Sequence, residues 1–397
     1  MNRKNHWSGR SICVLLLLAL LIGLTGCRKA DAGKTTHTIS TALHYTDSMD
    51  VKYAEKFTID YYEEGPALLT INGEQRFLVV PEDRADAVPA DLPEDITVLQ
   101  QPLTKLYTVA SACMDMFVAV DALDCVRFSG LNASDWSLPE VQEAMEDGSI
   151  RYAGKYSAPD YEQLLDHGCS LAIENTMIYH KPEVLDQLKK LGIPAMVEYS
   201  SYESDPRGRM EWVRVFGLLT GRQEAADAAF TKRLNEMDAV EKAVADADGE
   251  SGKKAGRPSV VFFYRLPNGE IKVRRSSDYI PKLIHMAGGR YVLEDLEPSE
   301  DTAMSTITMQ MEDLYASAKD VDYIIYNSTI AGEVHRISEL TDAEPLLKKF
   351  KAVKTGNVFC TTADLYQSSM ELSTFLTDLH DMLNGETDGM TFLYQLN

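Results

Sequence analysis

The sequence predicts an α/β protein: two αβ lobes, each Rossmann-like, joined by one long α-helix. Three observations carry this reading. Helices alternate with short apolar strands from Ser111 to Glu198; a stretch from Arg209 to about Asp248 is helical with little strand signal; the alternation restarts at Ser259. Alternation at this length implies parallel sheets covered on both faces.

The chain opens with three cations, Arg3, Lys4 and Arg10, and a 13-residue apolar run from Ile12 to Leu24. The run is short of the ~20 residues needed to cross a bilayer and suits the core of a secretory signal. Leu24-Thr25-Gly26-Cys27 follows and resembles the lipobox of bacterial lipoproteins, which implies acylation of the Cys27 thiol and cleavage before it. Several acyl chains, at about 0.8 kcal/mol per buried CH₂, anchor a protein stably where one would not. Residues 1–26 are thus read as a signal peptide and 27–37 as a small, polar tether.

Removing residues 1–26 takes away three cations and no acid, leaving 36 Lys+Arg against 61 Asp+Glu, a formal −25. Nucleic acid is excluded as a partner by that balance, because phosphate binding needs clustered cations. Apolar content of 45% with 25% charged residues is that of a globular chain, long enough for two cores.

The first lobe is expected over residues 38–207. It begins with β-rich stretches at Phe57–Tyr62, Leu68–Ile71, Phe77–Val80 and Ile96–Leu99, separated by Gly65-Pro66, Asn72-Gly73 and the Pro89–Pro93 region. They open a mixed sheet and are read as an extra hairpin on this lobe, its pairing left open. Met116, Val120 and Leu123 then fall at helical spacing, followed by strand Cys125–Phe128, helix Tyr161–His167, strand Leu171–Ile173, helix Pro182–Leu191 and strand Pro194–Glu198.

A connecting helical segment is expected over 208–250. Trp212, Val215, Phe216 and Leu219 form one apolar stripe, Gly221 breaks it, and an Ala/Glu/Lys-rich helix follows from Gln223 to Asp246, about 36 Å long at 1.5 Å per residue. "ADGESGKKAGRP" reads as an exposed linker. The second lobe, 251–397, holds strands Ser259–Tyr264, Glu270–Val273, Tyr323–Tyr326 and Asn357–Thr361, and helices Tyr279–Met286, Met309–Ala318, Glu344–Phe350 and Gln367–Leu383. "DYEQLLDHGCSLAIENTMI" (Asp160–Ile178) and "QMEDLYASAKDVDYIIYNSTI" (Gln310–Ile330) echo one another: acidic helix, apolar strand, Asn/Thr loop.

Cys113, Cys125, Cys169 and Cys360 show neither a C-x-x-C pair nor zinc-ligand spacing. Most are expected to be small core residues, and whether any pair as disulfides stays open. The histidines are scattered, so no metal site is expected, and capture of free Zn²⁺ or Mn²⁺ would need distant residues to converge. No G-x-S-x-G, H-E-x-x-H, P-loop or G-x-G-x-x-G after a strand occurs. The chain is therefore not read as an enzyme; a hydrolase or a sensory lipoprotein on the same fold is the alternative.

From Leu106 to Asn384 the order of "LYTVASACMDMFVAVDALDCVRFSG", "PDYEQLLDHGCSLAI", "EWVRVFGLLTGRQEAADAAF", "YIPKLIHMAGGRYVLED" and "MEDLYASAKDVDYIIYNST" resembles the substrate-binding lipoproteins of ABC importers for ferric siderophores, haem and cobalamin. The resemblance implies a monomer, lipid-anchored outside the bacterial cell membrane, with no intrinsic cofactor. It would capture a metal chelate between its lobes and deliver it to a permease and its ATPase. It also implies docking on the permease through one acid per lobe, which by motif position are Glu162 and Glu312.

Ligand sites in αβ architectures lie at the carboxyl ends of strands. The strand-end loops supply Tyr107 with Ser111, Tyr156 with Ser157, Asn175 with Tyr179, Tyr199 with Tyr202, Tyr264, Tyr326 with Asn327, and Tyr366. Tyrosines pack on flat chelates while their hydroxyls donate to ligand oxygens. Arg207 and Arg209 in "SDPRGR" and Arg274 and Arg275 in "KVRRSSD" are candidate forks for anionic groups.

Overall fold

The computed structural model describes residues 37–251, 256–296 and 305–397; the signal peptide, Cys27 and nearly all of the tether lie outside them. Three sheets organise the chain. The first is β1 (Tyr45–Ser48), β2 (Phe57–Tyr62), β3 (Ala67–Ile71), β4 (Gln75–Val80) and β5 (Ile96–Gln100), in that order, antiparallel except for the parallel pair β4–β5. The expected extra hairpin is thus a complete five-stranded sheet, and it does not extend the sheet that follows. Its central strands are buried on both faces, which is why "ALL" in β3 and "FLVV" in β4 read as continuous apolar runs. Ile59, Leu69, Ile71, Phe77 and Val79 face the main core, while Leu68, Leu78, Val80 and Ile96 pack under Ile39 and Leu43. Alternation sorts the two sets.

The second sheet is wholly parallel. It uses β6 (Leu106–Thr108), β7 (Val126–Ser129) and β8 (Arg151–Tyr152), then, past a small hairpin of β9 (Gly154–Lys155) and β10 (Ala158–Pro159), β11 (Ala172–Glu174) and β12 (Ala195–Val197). Its order is β12-β11-β6-β7-β8. The helices Met114–Ala119, Pro139–Glu146, Tyr161–Asp166 and Pro182–Lys190 alternate with these strands.

The connecting segment is three helices, Pro206–Glu211, Val213–Thr220 and Gln223–Ser251. Gly221, at φ 71°, turns the chain between the last two, a left-handed position that costs a glycine little. The final helix has 29 residues, about 43 Å at 1.5 Å each, and continues through the first residues of the expected linker. Ala226, Phe230, Met237, Val240 and Val244 form its buried stripe, packed on Val213–Thr220 and on the C-terminal helix Leu372–Asn384. It is a packed spine. Among the described residues, no helix is long and apolar enough to cross a membrane.

The third sheet has β13 (Ser259–Arg265), β14 (Ile271–Arg274), β15 (Arg290–Tyr291), β16 (Thr306–Met309), β17 (Tyr323–Tyr326), β18 (Val358–Thr361) and β19 (Leu393–Gln395). Its order is β16-β14-β13-β17-β18-β19, with β15 beside β13; the centre is parallel, β14 and β19 run antiparallel to it, and β16 pairs antiparallel with β14. Two expectations change here. The helix expected from Met309 begins at Met311, because Thr306–Met309 pairs with β14. The helix expected over Glu344–Phe350 is a 3-10 turn, Pro345–Lys349, lying between the helices Ile337–Ala343 and Lys351–Thr355.

One contiguous core runs from the inner face of the first sheet through Met114–Phe117 and the connecting helices to the third sheet. A second core, with Tyr107, Phe128, Leu164, Ile178 and Leu188, fills the other face of the parallel five-stranded sheet. The lobes therefore share one continuous core. All four described cysteines are buried free thiols.

Candidate functional site

A pocket of ≈ 330 Å³ lies where loops of the two lobes meet. The loop after β12 supplies Ser201, Tyr202, Glu203 and Ser204, with Arg209 from the next helix. Across from it stand Arg275, Ser277 and Asp278, between β14 and helix Tyr279–Met286, and Ser305 with Thr306, leading into β16.

Both carboxylates in this wall are committed inward. Glu203 accepts the backbone N–H of Glu55 (2.8 Å) and Lys56 (2.9 Å) and the Trp212 indole N–H (2.9 Å). Asp278 caps the helix Tyr279–Met286 by accepting Ile280 N–H at 3.1 Å, and its other oxygen lies 3.6 Å from Arg274. What faces the opening is then a set of hydroxyls, exposed at Ser201, Tyr202, Ser277 and Ser305 and backed by the Arg209 and Arg275 side chains, a polar lining suited to an oxygen-rich ligand.

Arg209 donates through Nε to Glu203 O (3.0 Å) and also to Ser201 O. Its guanidinium sits 3.7 Å from the centroid of the Tyr279 ring on the opposite lobe, a cation–π contact that desolvation strengthens. Lys282 reaches Ser204 Oγ at 3.4 Å and Asp205 at 3.7 Å. Elsewhere the lobes meet where Gln367 accepts Ser137 N–H (2.7 Å) and donates to Asp135 O (2.8 Å), and where Asp115 accepts Met370 N–H (2.7 Å). Burial pushes the Asp115 carboxyl up to about 6.

Beside the pocket the first lobe carries a tyrosine cluster. The Tyr179 and Tyr199 hydroxyls are 2.8 Å apart, the Tyr199 and Tyr202 rings 5.8 Å, and the Tyr202 hydroxyl lies 2.7 Å from Thr176 Oγ1. Tyr179 and Tyr202 are exposed, as is the neighbouring Met177. Burial, then the bond to Tyr179, raises the Tyr199 phenol well above its ordinary value. Asn175 caps the turn that holds Tyr179, accepting Met177 N–H at 2.9 Å.

Of the residues singled out in the sequence, the structure thus brings Tyr202, Arg209 and Arg275 to the pocket, with Asn175, Tyr179 and Tyr199 alongside. Arg274 and Tyr366 form a bonded pair behind the wall, the guanidinium donating to the phenol oxygen at 2.7 Å. Asn327 is buried and accepts Thr329 N–H at 3.0 Å. Four placements correct the expectation of cleft-facing side chains. Tyr107 is interior, its hydroxyl donating to Gly154 O at 2.7 Å. Arg207 pairs with Glu241 and Asp238 of the long helix and lies over Tyr53. Tyr326 is buried beside Phe263, in the wall of a separate pocket of ≈ 180 Å³ inside the second lobe, and Tyr264 packs on the main core. Ser111, Tyr156 and Ser157 are half-buried and do not line the interlobe pocket. Glu162 and Glu312 are exposed in the first turns of helices Tyr161–Asp166 and Met311–Ala318.

Sequence reasoning missed Ser201, Glu203, Ser204, Ser277, Asp278, Ser305 and Thr306. The signal was present in "SSYESDPRGR" and "RRSSD", whose serines flank the arginines. Among the described residues one His/carboxylate group, His44, Glu63 and Glu64, has ligand atoms within 4.8 Å of one another. It sits on the first sheet's edge, with His44 bonded to Glu64 at 2.5 Å, and lines no part of the pocket.

Comparison with known proteins agrees with this architecture. The chain is 24% identical over 366 residues to the uncharacterized lipoprotein MJ0878 of Methanocaldococcus jannaschii, covering 85% of this chain and 82% of that one. A second lipoprotein of that organism, MJ0872, is 21% identical over 410 residues, with 96% and 98% covered. Among solved structures, a periplasmic heme binding protein from Pseudomonas aeruginosa superposes with TM-score 0.58 at 14% identity, covering 74% of this chain and 98% of that one. An ABC-type Fe³⁺-hydroxamate transport system protein from Saccharomonospora viridis gives 0.54 at 16%, covering 71% and 93%; both likenesses show the fold. The periplasmic binding protein model matches residues 108–365, and the chain therefore belongs to that family of extracytoplasmic, non-enzymatic solute-binding components of ABC importers.

Proposed function

We propose that this solute-binding protein captures a metal chelate, such as a ferric siderophore, haem or cobalamin, between its lobes and hands it to an ABC permease served by an ATPase. The observation that carries the reading is the interlobe pocket itself, with arginines and hydroxyls on its walls and exposed tyrosines at one side. Hydroxyls and guanidinium groups suit the ligand oxygens of a chelate, and the aromatic rim suits its flat or apolar flank. The names of the heme-binding and Fe³⁺-hydroxamate neighbours point the same way. At ≈ 330 Å³ the pocket is at the small end for ligand sites. A chelate seats a compact part there and rests the remainder on Tyr179, Tyr199 and Tyr202.

In this reading Cys27 carries the lipid, residues 27–37 let the body reach its permease as a monomer beside the bacterial cell membrane, and Glu162 and Glu312 form ion pairs with permease cations. The division into lobes at 38–207 and 251–397 around a 208–250 connector belongs to the same proposal. Fluorescence titration tests it, because the Trp212 indole is bonded to Glu203 in the pocket wall. Ferric hydroxamate, haem and cobalamin are the probes, with Zn²⁺ and Mn²⁺ as bare cations. Saturable quenching by a chelate and none by the cations is expected; a response to cations alone overturns the chelate reading.

A further inference from the structure

The five-stranded sheet β1–β5 contributes no side chain to the pocket, yet its loop 52–56 is bonded to the pocket wall. Two buried glutamates make the attachment. Glu211 accepts the N–H groups of Lys52 (3.0 Å), Tyr53 (2.7 Å) and Ala54 (2.9 Å), and Glu203 those of Glu55 and Lys56. Five consecutive amides thus end on two carboxylates. The fit is close: a Cβ on Gly208 would come within 2.7 Å of Tyr53 O.

A second attachment holds the strand that leads into the wall. Gln75 accepts Val197 N–H (2.7 Å) and donates to Val197 O (3.0 Å), covering the outer edge of β12 as a further strand would. The sheet therefore grips both ends of the segment Val197–Glu203, which bears Tyr199, Ser201 and Tyr202.

The two glutamates are not equivalent. Glu211 sits in helix Pro206–Glu211, outside the pocket, and pairs with Arg214 at 3.1 Å. Glu203 is itself part of the pocket wall, one residue from Tyr202. We propose that Glu203 is a positioning residue and that β1–β5 is a brace: through Glu203 and Gln75 the sheet sets the conformation of the Ser201–Ser204 wall, and with it the affinity of the pocket. This rests on the pocket being the solute site.

Amide hydrogen exchange on the whole mature protein separates positioning from simple docking. Tyr202 N–H donates to Tyr199 O (2.8 Å) and Glu203 N–H to Ser200 O (3.1 Å), so both report on the wall. In Glu203→Gln one acceptor oxygen becomes an NH₂ that meets either the Glu55 N–H or the Lys56 N–H with the Trp212 indole, and these two wall protons are expected to exchange about tenfold faster. Glu211→Gln should free either the Lys52 amide or those of Tyr53 and Ala54 and leave the two wall protons within about twofold of wild type. Gln75→Ala, a milder change, should speed exchange from Val197 to Glu203 by several-fold. The brace is overturned if Glu203→Gln and Gln75→Ala leave the wall unchanged, or if Glu211→Gln loosens it as much. With ferric hydroxamate or haem as probe, binding should weaken about tenfold in Glu203→Gln and stay within about twofold in Glu211→Gln. A wild-type protein that binds no probe counts against the solute reading, and the exchange result still decides the brace.

Discussion

Two regions of the first lobe bury glutamates and treat them in opposite ways. Beyond β12, Glu203 in the following loop and Glu211 in helix Pro206–Glu211 are almost wholly buried, yet their oxygens accept five backbone N–H groups and an indole N–H. At the end of the neighbouring strand β11, Glu174 is fully buried and neither oxygen has a protein partner; Thr108 Oγ1, on the adjoining β6, is likewise unpartnered. Burial alone pushes Glu174 up to about 8. The difference teaches that burial does not set a carboxylate's role. A bonded carboxylate holds backbone in place, and an unbonded one stays protonated near neutrality.

That contrast can be broken from either side. The largest effect is expected from pH at Glu174. Its folded value is raised from 4.5 to about 8, so between those pH values the folded state holds a proton that the unfolded state has released. The associated stability is fully present below pH 4.5, declines as pH rises through about 8, and amounts to at most about 5 kcal/mol. Urea unfolding of Glu174→Gln should show that decline flattened; an unchanged pH profile would mean that Glu174 is ionised and hydrated in the fold.

Next comes Glu211→Ala. It strands the N–H groups of Lys52, Tyr53 and Ala54 and leaves Arg214 without its buried partner, an expected loss of about 3–5 kcal/mol. A loss below about 1 kcal/mol in urea melts would show that water replaces the carboxylate and that the attachment is superficial. Asp115→Ala is smaller, since it orphans only Met370 N–H, and should cost about 1–3 kcal/mol. Smallest in stability, within about 0.5 kcal/mol, is the exposed pair Glu162→Lys with Glu312→Lys, which should abolish uptake while probe affinity is kept. Normal uptake in that double variant removes both residues from permease docking.

Much of the fold was legible because its signals are local. The alternation after Ser111, the apolar stripe from Trp212 to Leu219 and the break at Gly221 each need only a short window of sequence. The cleft was half legible. Arg207 and Arg209 lie two apart on a short helix and so point to different sides: one turns to the long helix, the other to the pocket. Arg274 and Arg275 are adjacent at a strand end and project to opposite faces, so one is bound to Tyr366 behind the wall and the other lines it. Glu203 could not be read from its surroundings. Its amide partners are 147 and 148 positions away, and no spacing rule reaches that far. For the same reason the early strands read as a hairpin, since their fifth member, β5, joins β4 in parallel across an intervening segment.

The claim most exposed to test is that solute sits between the lobes. Ser277 is exposed on the second-lobe wall, directly in the pocket lining, so Ser277→Trp fills the space with little cost to folding. Titrated with the chelate that binds the wild type, this variant should lose affinity by about a hundredfold or more, equivalent to roughly 3 kcal/mol. Wild-type affinity in Ser277→Trp would place the solute elsewhere and contradict the account.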